Sequence, residues 1–512
     1  MKKTLYLLSF CLGTSLFVQA QQKPAPKENA PLATTVEDKP NNGSRTLNPD
    51  SYVVTTNEVT IKGQKVPYKA LAGTIPVWND DAKIQASLFY TYYERTDVKD
   101  KATRPLIISF NGGPGSASVW MQIAYTGPKA LKVDSEGYPL QPYGVKQNPY
   151  SVLDTADIVF VNPVNTAYSR VLPGKDGKMP SKDQQQKMFF GVNADVKYLA
   201  EWINTFVSRN ERWQSPKFLI GESYGTTRVS GLALALQNQQ WMYLNGVVLV
   251  SPTDLGIERA GPVKAANRLP YFAATAWFHN KLSNELQQKD LYDILPEVEQ
   301  FTLNQYLPAL AKGNAISSED KLRVAQQVAS YSGLSLEAVL QNNLDIPTSY
   351  YWKELLRDRG QTVGRLDSRY LGIDKRDAGD RPDYNAELTS WLHSFTPAIN
   401  YYLRDELNYK TDIKYNMFGP VHPWDRSDDN TGENLRQAMA QNPYLKVLTQ
   451  SGYYDGATNY FDAKYNMWQL DPSGKMKHRL SFKGYRSGHM MYLRAEDLQK
   501  SNDDLRQFIL DA

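Results

Sequence analysis

Residues 216–225 read Pro-Lys-Phe-Leu-Ile-Gly-Glu-Ser-Tyr-Gly, an apolar run that ends abruptly on Gly221-Glu222-Ser223-Tyr224-Gly225. A Gly-x-Ser-x-Gly pentapeptide closing such a run is the sequence form of a sharp strand-to-helix turn that lifts a serine hydroxyl clear of a sheet. The serine must take strained backbone angles, and glycines two positions to either side let the flanking chain pass without Cβ clashes. Alone the pentapeptide is a weak signal in a chain of 512 residues with 32 glycines. Its setting makes it informative. Val229, Leu232, Leu234 and Leu236 stand among small residues over 226–240 and predict a helix, and 244–251 predict a second buried strand. Strand, turn, helix and strand follow in the order this turn requires.

The rest of the chain extends the pattern. Residues 53–93 are strand-like around a Lys62-Gly63 turn, and 105–110 and 157–162 are short apolar strands, the first ending in Asn111-Gly112-Gly113-Pro114-Gly115. Val192, Val196, Leu199, Ile203 and Phe206 step by four, three, four and three, one face of a helix leading into the strand before Ser223. Alternating strands and helices predict a mostly parallel sheet with helices on both faces. Residues 258–430 show helical stretches, such as 283–295 and 335–344, but no buried-strand runs, and predict a largely helical insertion. The sheet is expected to resume over 431–512, with strands at 444–451 and 478–483 and helices at 457–470 and 495–510.

Composition excludes more than it identifies. The chain is 41% hydrophobic with a net charge of +4 and no Lys/Arg block, so nothing calls for a nucleic-acid partner. Met1-Lys2-Lys3, an apolar core over 5–17 and Val18-Gln19-Ala20 read as a secretory leader cut after Ala20. The leader's core is too short to span a bilayer and no later run reaches 18 apolar residues. The single cysteine, Cys11, lies inside the leader, so a mature exported chain would hold no disulfide. Residues 21–48 are polar and aperiodic and read as a disordered tether. The organisation expected is therefore a leader over 1–20, a tether over 21–48, a sheet domain over 49–257 and 431–512, and an insertion over 258–430. An exported bacterial protein of the periplasm or the exterior fits.

A serine nucleophile needs a base to take its proton and an acid to orient that base. Of His279, His393, His422, His478 and His489, only His489 lies in a loop after the last predicted strand. Asp455, in Ser451-Gly-Tyr-Tyr-Asp455-Gly456, ends the preceding strand; it also stands two residues before a predicted helix, where Asp is a favoured cap. The order Ser223, Asp455, His489, each at a strand's carboxyl end, is that of the α/β-hydrolase fold. The backbone N–H of Tyr224 and one from the loop at 111–115 could form an oxyanion hole.

Four ordered motifs, Asn111-Gly-Gly-Pro-Gly115, Gly221-Glu-Ser-Tyr-Gly225, Ser451-Gly-x-x-Asp455 and Gly488-His489-Met490, together resemble the serine carboxypeptidases. The segments Asn148-Pro-Tyr-Ser151 and 157–169 also resemble that family. The resemblance implies Ser223, Asp455 and His489 as the triad and the N–H groups of Gly113 and Tyr224 as the oxyanion hole. It further implies Asn111 and Glu222 as binders of a substrate's C-terminal carboxylate, which requires Glu222 to be protonated, since two carboxylates in contact share a proton. No cofactor or metal is implied. The chain departs from the family pattern at Tyr125, where a second Glu is common, and at Ser109, Ser116, Val161 and Thr226. The expected activity is release of C-terminal residues from peptides through an acyl-enzyme. A secreted esterase or acyltransferase on the same scaffold, and a binding protein on an inactive one, are the alternatives. The aromatic run Tyr350-Tyr351-Trp352 is expected to pack within the insertion rather than line its pocket.

Overall fold

The computed structural model describes residues 45–257 and 260–512. The predicted leader and most of the tether lie outside the described residues. No helix among the described residues is long and apolar enough to cross a membrane.

A ten-stranded sheet organises the chain. Its strands are β1 (Ser51–Ile61), β2 (Gln64–Trp78), β3 (Ile84–Arg95), β4 (Leu106–Phe110), β5 (Asp157–Val161), β6 (Arg170–Val171), β7 (Lys217–Glu222), β8 (Gly246–Val250), β9 (Lys446–Gly452) and β10 (Leu480–Tyr485). The order across the sheet is β1-β2-β3-β5-β4-β7-β8-β9-β10, with β6 beside β3. The first three strands form an antiparallel meander turning tightly at Lys62-Gly63, both at positive φ. From β5 to β10 all pairings are parallel, so the carboxyl ends of six strands share one edge. These parallel strands, β10 apart, are buried almost throughout, as expected where helices cover both faces.

One face is covered by α1 (Val192–Arg209), α2 (Tyr224–Gln239) and α3 (Thr431–Gln441), which pack side by side. The predicted stripe of α1 is buried at all five positions. Leu219 joins Val229 and Leu232 on this face, while Ile220, pointing the other way, joins Tyr125 and Tyr492 on the opposite face. That second face is also covered by α5 (Ala495–Asp511); α4 (Tyr460–Leu470) lies between β9 and β10 in the chain. The fold is an α/β-hydrolase fold.

Between β8 and β9 the chain runs through helices at Leu269–Phe278, Leu291–Phe301, Ser318–Ser332 and Ala386–Tyr401, with one two-residue strand pair at 362–363 and 371–372. Two-residue strands carry no periodicity, which is why the sequence shows helices alone here. Tyr351 stacks on Phe272 at 3.9 Å and Trp352 Nε1 donates to Tyr271, so that aromatic run is packing. Two element starts shift. His478 lies in a 3₁₀ turn just before β10, and α4 begins at Tyr460 rather than 457.

Candidate active site

The turn after β7 places Ser223 at φ 58° and ψ −127°, a strained conformation for a residue with a side chain. Its amide donates to Val250 O at 3.0 Å, and its carbonyl accepts from Thr226 Oγ1 at 2.7 Å. A Cβ on Gly221 would stand 2.1 Å from Gly225 O, so the two glycines of the pentapeptide are needed where the chain crosses itself. Ser223 is half-buried and opens into a cleft of about 460 Å³ whose lining also includes Gly112, Gly113, Glu222, Tyr224 and His489.

Asp455 is fully buried in the loop after β9, and its Oδ2 lies 2.6 Å from His489 Nδ1. With Nδ1–H given to Asp455, the His489 Nε2 lone pair is left for a proton. Asp455 does not cap α4, because Asn459 does so by accepting from Asp462 N at 2.9 Å. Instead its Oδ1 accepts from the amides of Ala457 and Thr458 at 2.8 and 3.1 Å. Thr458 Oγ1 lies 2.7 Å from Asp455 Oδ2 and 3.2 Å from His489 Nδ1, flanking the pair. The imidazole is raised above its ordinary value; burial pulls it down, and the Asp455 carboxylate overrides that pull.

The loop after β4 lies against the turn. A Cβ on Gly112 would meet Tyr224 N at 2.4 Å, which brings the loop's backbone to the start of α2. Gly113 follows at φ 105°. Both sit beside Ser223 in the cleft, with Tyr224 N the first amide of α2. Asn111 is held by Met121 N on its Oδ1 at 3.1 Å, and its Nδ2 donates to Glu222 Oε1 at 3.0 Å.

Glu222 is buried, and desolvation pushes its carboxyl up to about 7 against the lowering influence of His489, Tyr492 and Asn111. Among the described residues no second carboxyl hydrogen-bonds to it, although the charge of Asp455 adds to the upward push. Tyr492 O–H donates to Oε2, and the ring of Tyr125 stacks on Tyr492 at 4.7 Å with planes 8° apart. Tyr125 itself donates to Gln450 Oε1 at 2.6 Å, well behind Glu222.

Four further residues around the site were not singled out by the sequence: Thr458, Tyr492, Asp195 and Arg228. Arg228, on the second turn of α2, donates to Asn111 O at 2.7 Å and Pro114 O at 3.2 Å, bracketing the two glycines between them. Its Nε donates to Asp195 Oδ2 at 2.7 Å, with both side chains wholly buried. The signal was present: a charged residue on a helix of small and apolar residues needs a partner, but nothing local says which.

Ser223, Asp455 and His489 stand in the loops after β7, β9 and β10, at the carboxyl edge of the parallel sheet of an α/β-hydrolase fold. A family model described as serine carboxypeptidase matches residues 61–482, and the chain belongs to that family. Serine carboxypeptidase-like 36 of Arabidopsis thaliana is 30% identical over 172 residues, 33% of this chain and 32% of that protein. Carboxypeptidase Y homolog A of Pyrenophora tritici-repentis is 34% identical over 92 residues, 18% of this chain and 15% of that protein. The chain thus spans about a third or less of these two curated relatives. The crystal structure of Kex1(Δ)p, a prohormone-processing carboxypeptidase from Saccharomyces cerevisiae, covers 87% of this chain and 92% of its own. It aligns with a TM-score of 0.52 at 16% identity, a likeness of fold.

Proposed function

We propose that the protein is a serine carboxypeptidase that releases C-terminal residues from peptides. The observation that carries this reading is Glu222: a buried carboxyl next to the nucleophile, bonded to Asn111 and raised to about 7, so that it can stay protonated and donate to a substrate carboxylate.

In this reading the substrate's terminal carboxylate lies at Asn111 and Glu222, with its last peptide bond over Ser223. His489 Nε2 takes the Ser223 proton as Oγ attacks the carbonyl carbon. The Gly113 and Tyr224 amides receive the oxyanion. Asp455 holds the imidazole tautomer and stabilises the imidazolium. The C–N bond breaks as His489 returns the proton to the leaving amine. A water molecule, deprotonated by His489, then cleaves the acyl-enzyme and regenerates Ser223. The chemistry uses side chains and backbone amides alone. Residues 258–430 act as a cap, contributing Lys264, Arg365, Leu366, Trp391 and Arg426 to the cleft. Residues 1–20 are read as an export leader, placing the mature enzyme in the periplasm or outside the cell.

The test is mass spectrometry of an unmodified peptide and its C-terminally amidated twin, with the leaderless protein and Ser223→Ala. Carboxypeptidase action gives a ladder from the free C-terminus, weak with the amide and reduced about 10⁴-fold or more in the folded Ser223→Ala protein. An untouched peptide alongside a hydrolysed ester would move the assignment to an esterase or acyltransferase.

A further inference from the structure

We infer that the acyl side of the cleft selects peptides with an acidic penultimate residue, read by Arg426 together with Lys264. The inference rests on the carboxypeptidase reading, which sets the direction in which a peptide lies.

Glu222 and Tyr224 straddle the nucleophile on opposite faces of the sheet. Glu222 points to Asn111 and Tyr492, on the face of Tyr125 and Ile220. Tyr224 points to the face of α1 and α2, where its ring lies 5.3 Å from the Arg228 guanidinium and its hydroxyl accepts from Trp424 Nε1 at 3.0 Å. A peptide whose terminal carboxylate is at Glu222 and whose last bond is over Ser223 must therefore carry its penultimate residue past Tyr224. There the Arg426 guanidinium stands 5.9 Å from the Tyr224 ring centroid, and Lys264 lines the same cleft.

Both side chains are exposed, and among the described residues neither forms an ion pair. The cleft carboxylates Asp254 and Asp462, and Asp425 and Asp429 close to Arg426 in sequence, have other partners. Asp462 accepts from Asn267 and Asn459 at 3.0 and 2.7 Å, and Asp254 has a partner of its own. Asp425 accepts from Ser427 N at 2.9 Å and Asp429 from Thr431 Oγ1 at 2.9 Å. A guanidinium beside an aromatic ring, with its donors uncommitted, offers a forked site to a carboxylate. The wall on the Glu222 face is different: Trp120, Trp391 and Met490 are buried apolar groups, suited to a bulky apolar terminal residue.

The experiment compares kcat/KM for N-acylated Glu-Phe, Gln-Phe and Lys-Phe at low and high salt, with wild type, Arg426→Gln and Arg426→Glu. The expected order is Glu over Gln over Lys. The Glu-to-Gln ratio should be about three- to ten-fold at low salt, shrinking at 0.5 M salt, near one in Arg426→Gln and inverted toward Lys in Arg426→Glu. Equal rates for Glu-Phe and Gln-Phe in wild type, or a ratio unmoved by both variants, would overturn the inference while leaving carboxypeptidase action standing. Cleavage of none of the three would overturn the underlying functional reading, and the inference with it.

Discussion

Glu222 and His489 are coupled by charge: the imidazolium lowers the carboxyl and the carboxylate raises the imidazole. Burial raises Glu222 to about 7, and its negative charge in turn helps raise His489. The singly protonated pair has two forms, Glu222–H with neutral imidazole, or carboxylate with imidazolium. In the proposed reaction only the first holds both a base for Ser223 and a donor for a terminal carboxylate. A bound C-terminus selects that form, because an ionised Glu222 would face a like charge. For peptides, kcat/KM is therefore expected to rise as His489 loses its proton and to fall above about pH 7, while C-terminally blocked esters lack the fall. In Glu222→Gln the alkaline fall should vanish. The acid limb should move to lower pH, since His489 loses an anionic neighbour that raised it. Unchanged pH–rate profiles in Glu222→Gln would take this role from Glu222. Tyr492→Phe provides the opposite sign: its hydroxyl favours the ionised carboxyl, so removing it should raise Glu222 further and shift the alkaline limb upward. The positions of Ser223, His489 and Asp455 at strand ends were legible because each lies in a short motif. Tyr492 was not, because its distance from Glu222 in sequence hides a contact made only across the sheet.

At the scale of elements, the proposed oxyanion hole requires the loop after β4 and the start of α2 to hold two amides in one orientation. Arg228 does this from α2, gripping Asn111 O and Pro114 O and anchored by Asp195 on α1. Lysine carries the charge but not the fork, so Arg228→Lys should loosen the loop without emptying the carboxylate site. The expected result is a fall in kcat of about ten- to a hundred-fold with KM within about two-fold, and a lower melting temperature. Steady-state kinetics with one peptide decide it; kcat and KM both at wild-type values would free the loop from Arg228. Helix α1 was readable because its buried face repeats at helical spacing. The start of α4 was not, because Asn459 caps it after an Asp455 turn that already satisfies two amides.

At the scale of the whole molecule, the site is tied to stability through buried carboxyls. Glu387, on the helix Ala386–Tyr401, is raised by burial to about 7, and its Oε1 accepts from Leu366 N, whose own carbonyl accepts from His489 N. Folded Glu387 and Glu222 hold protons that an unfolded chain releases near pH 4.5. Their contribution is thus complete below that pH and lost as pH rises through about 7. Buried His279, whose pKa is lowered, works in the other direction, so the comparison must be between variants. Thermal unfolding from pH 4.5 to 8 should show a shallower decline in Glu387→Gln than in wild type; parallel curves would mean that Glu387 does not titrate on unfolding. By itself the sequence determined the fold class and the order of Ser223, Asp455 and His489, because turn glycines, strand runs and helical stripes are local and repeat at fixed periods. Only the tertiary structure decided what surrounds them. Tyr125 and Gln450 meet from 325 residues apart. Arg228 finds its carbonyls across a strand, and Arg426 comes to rest beside Tyr224. Such pairings depend on which sheet face each side chain leaves from and what packs there, and no local period records that.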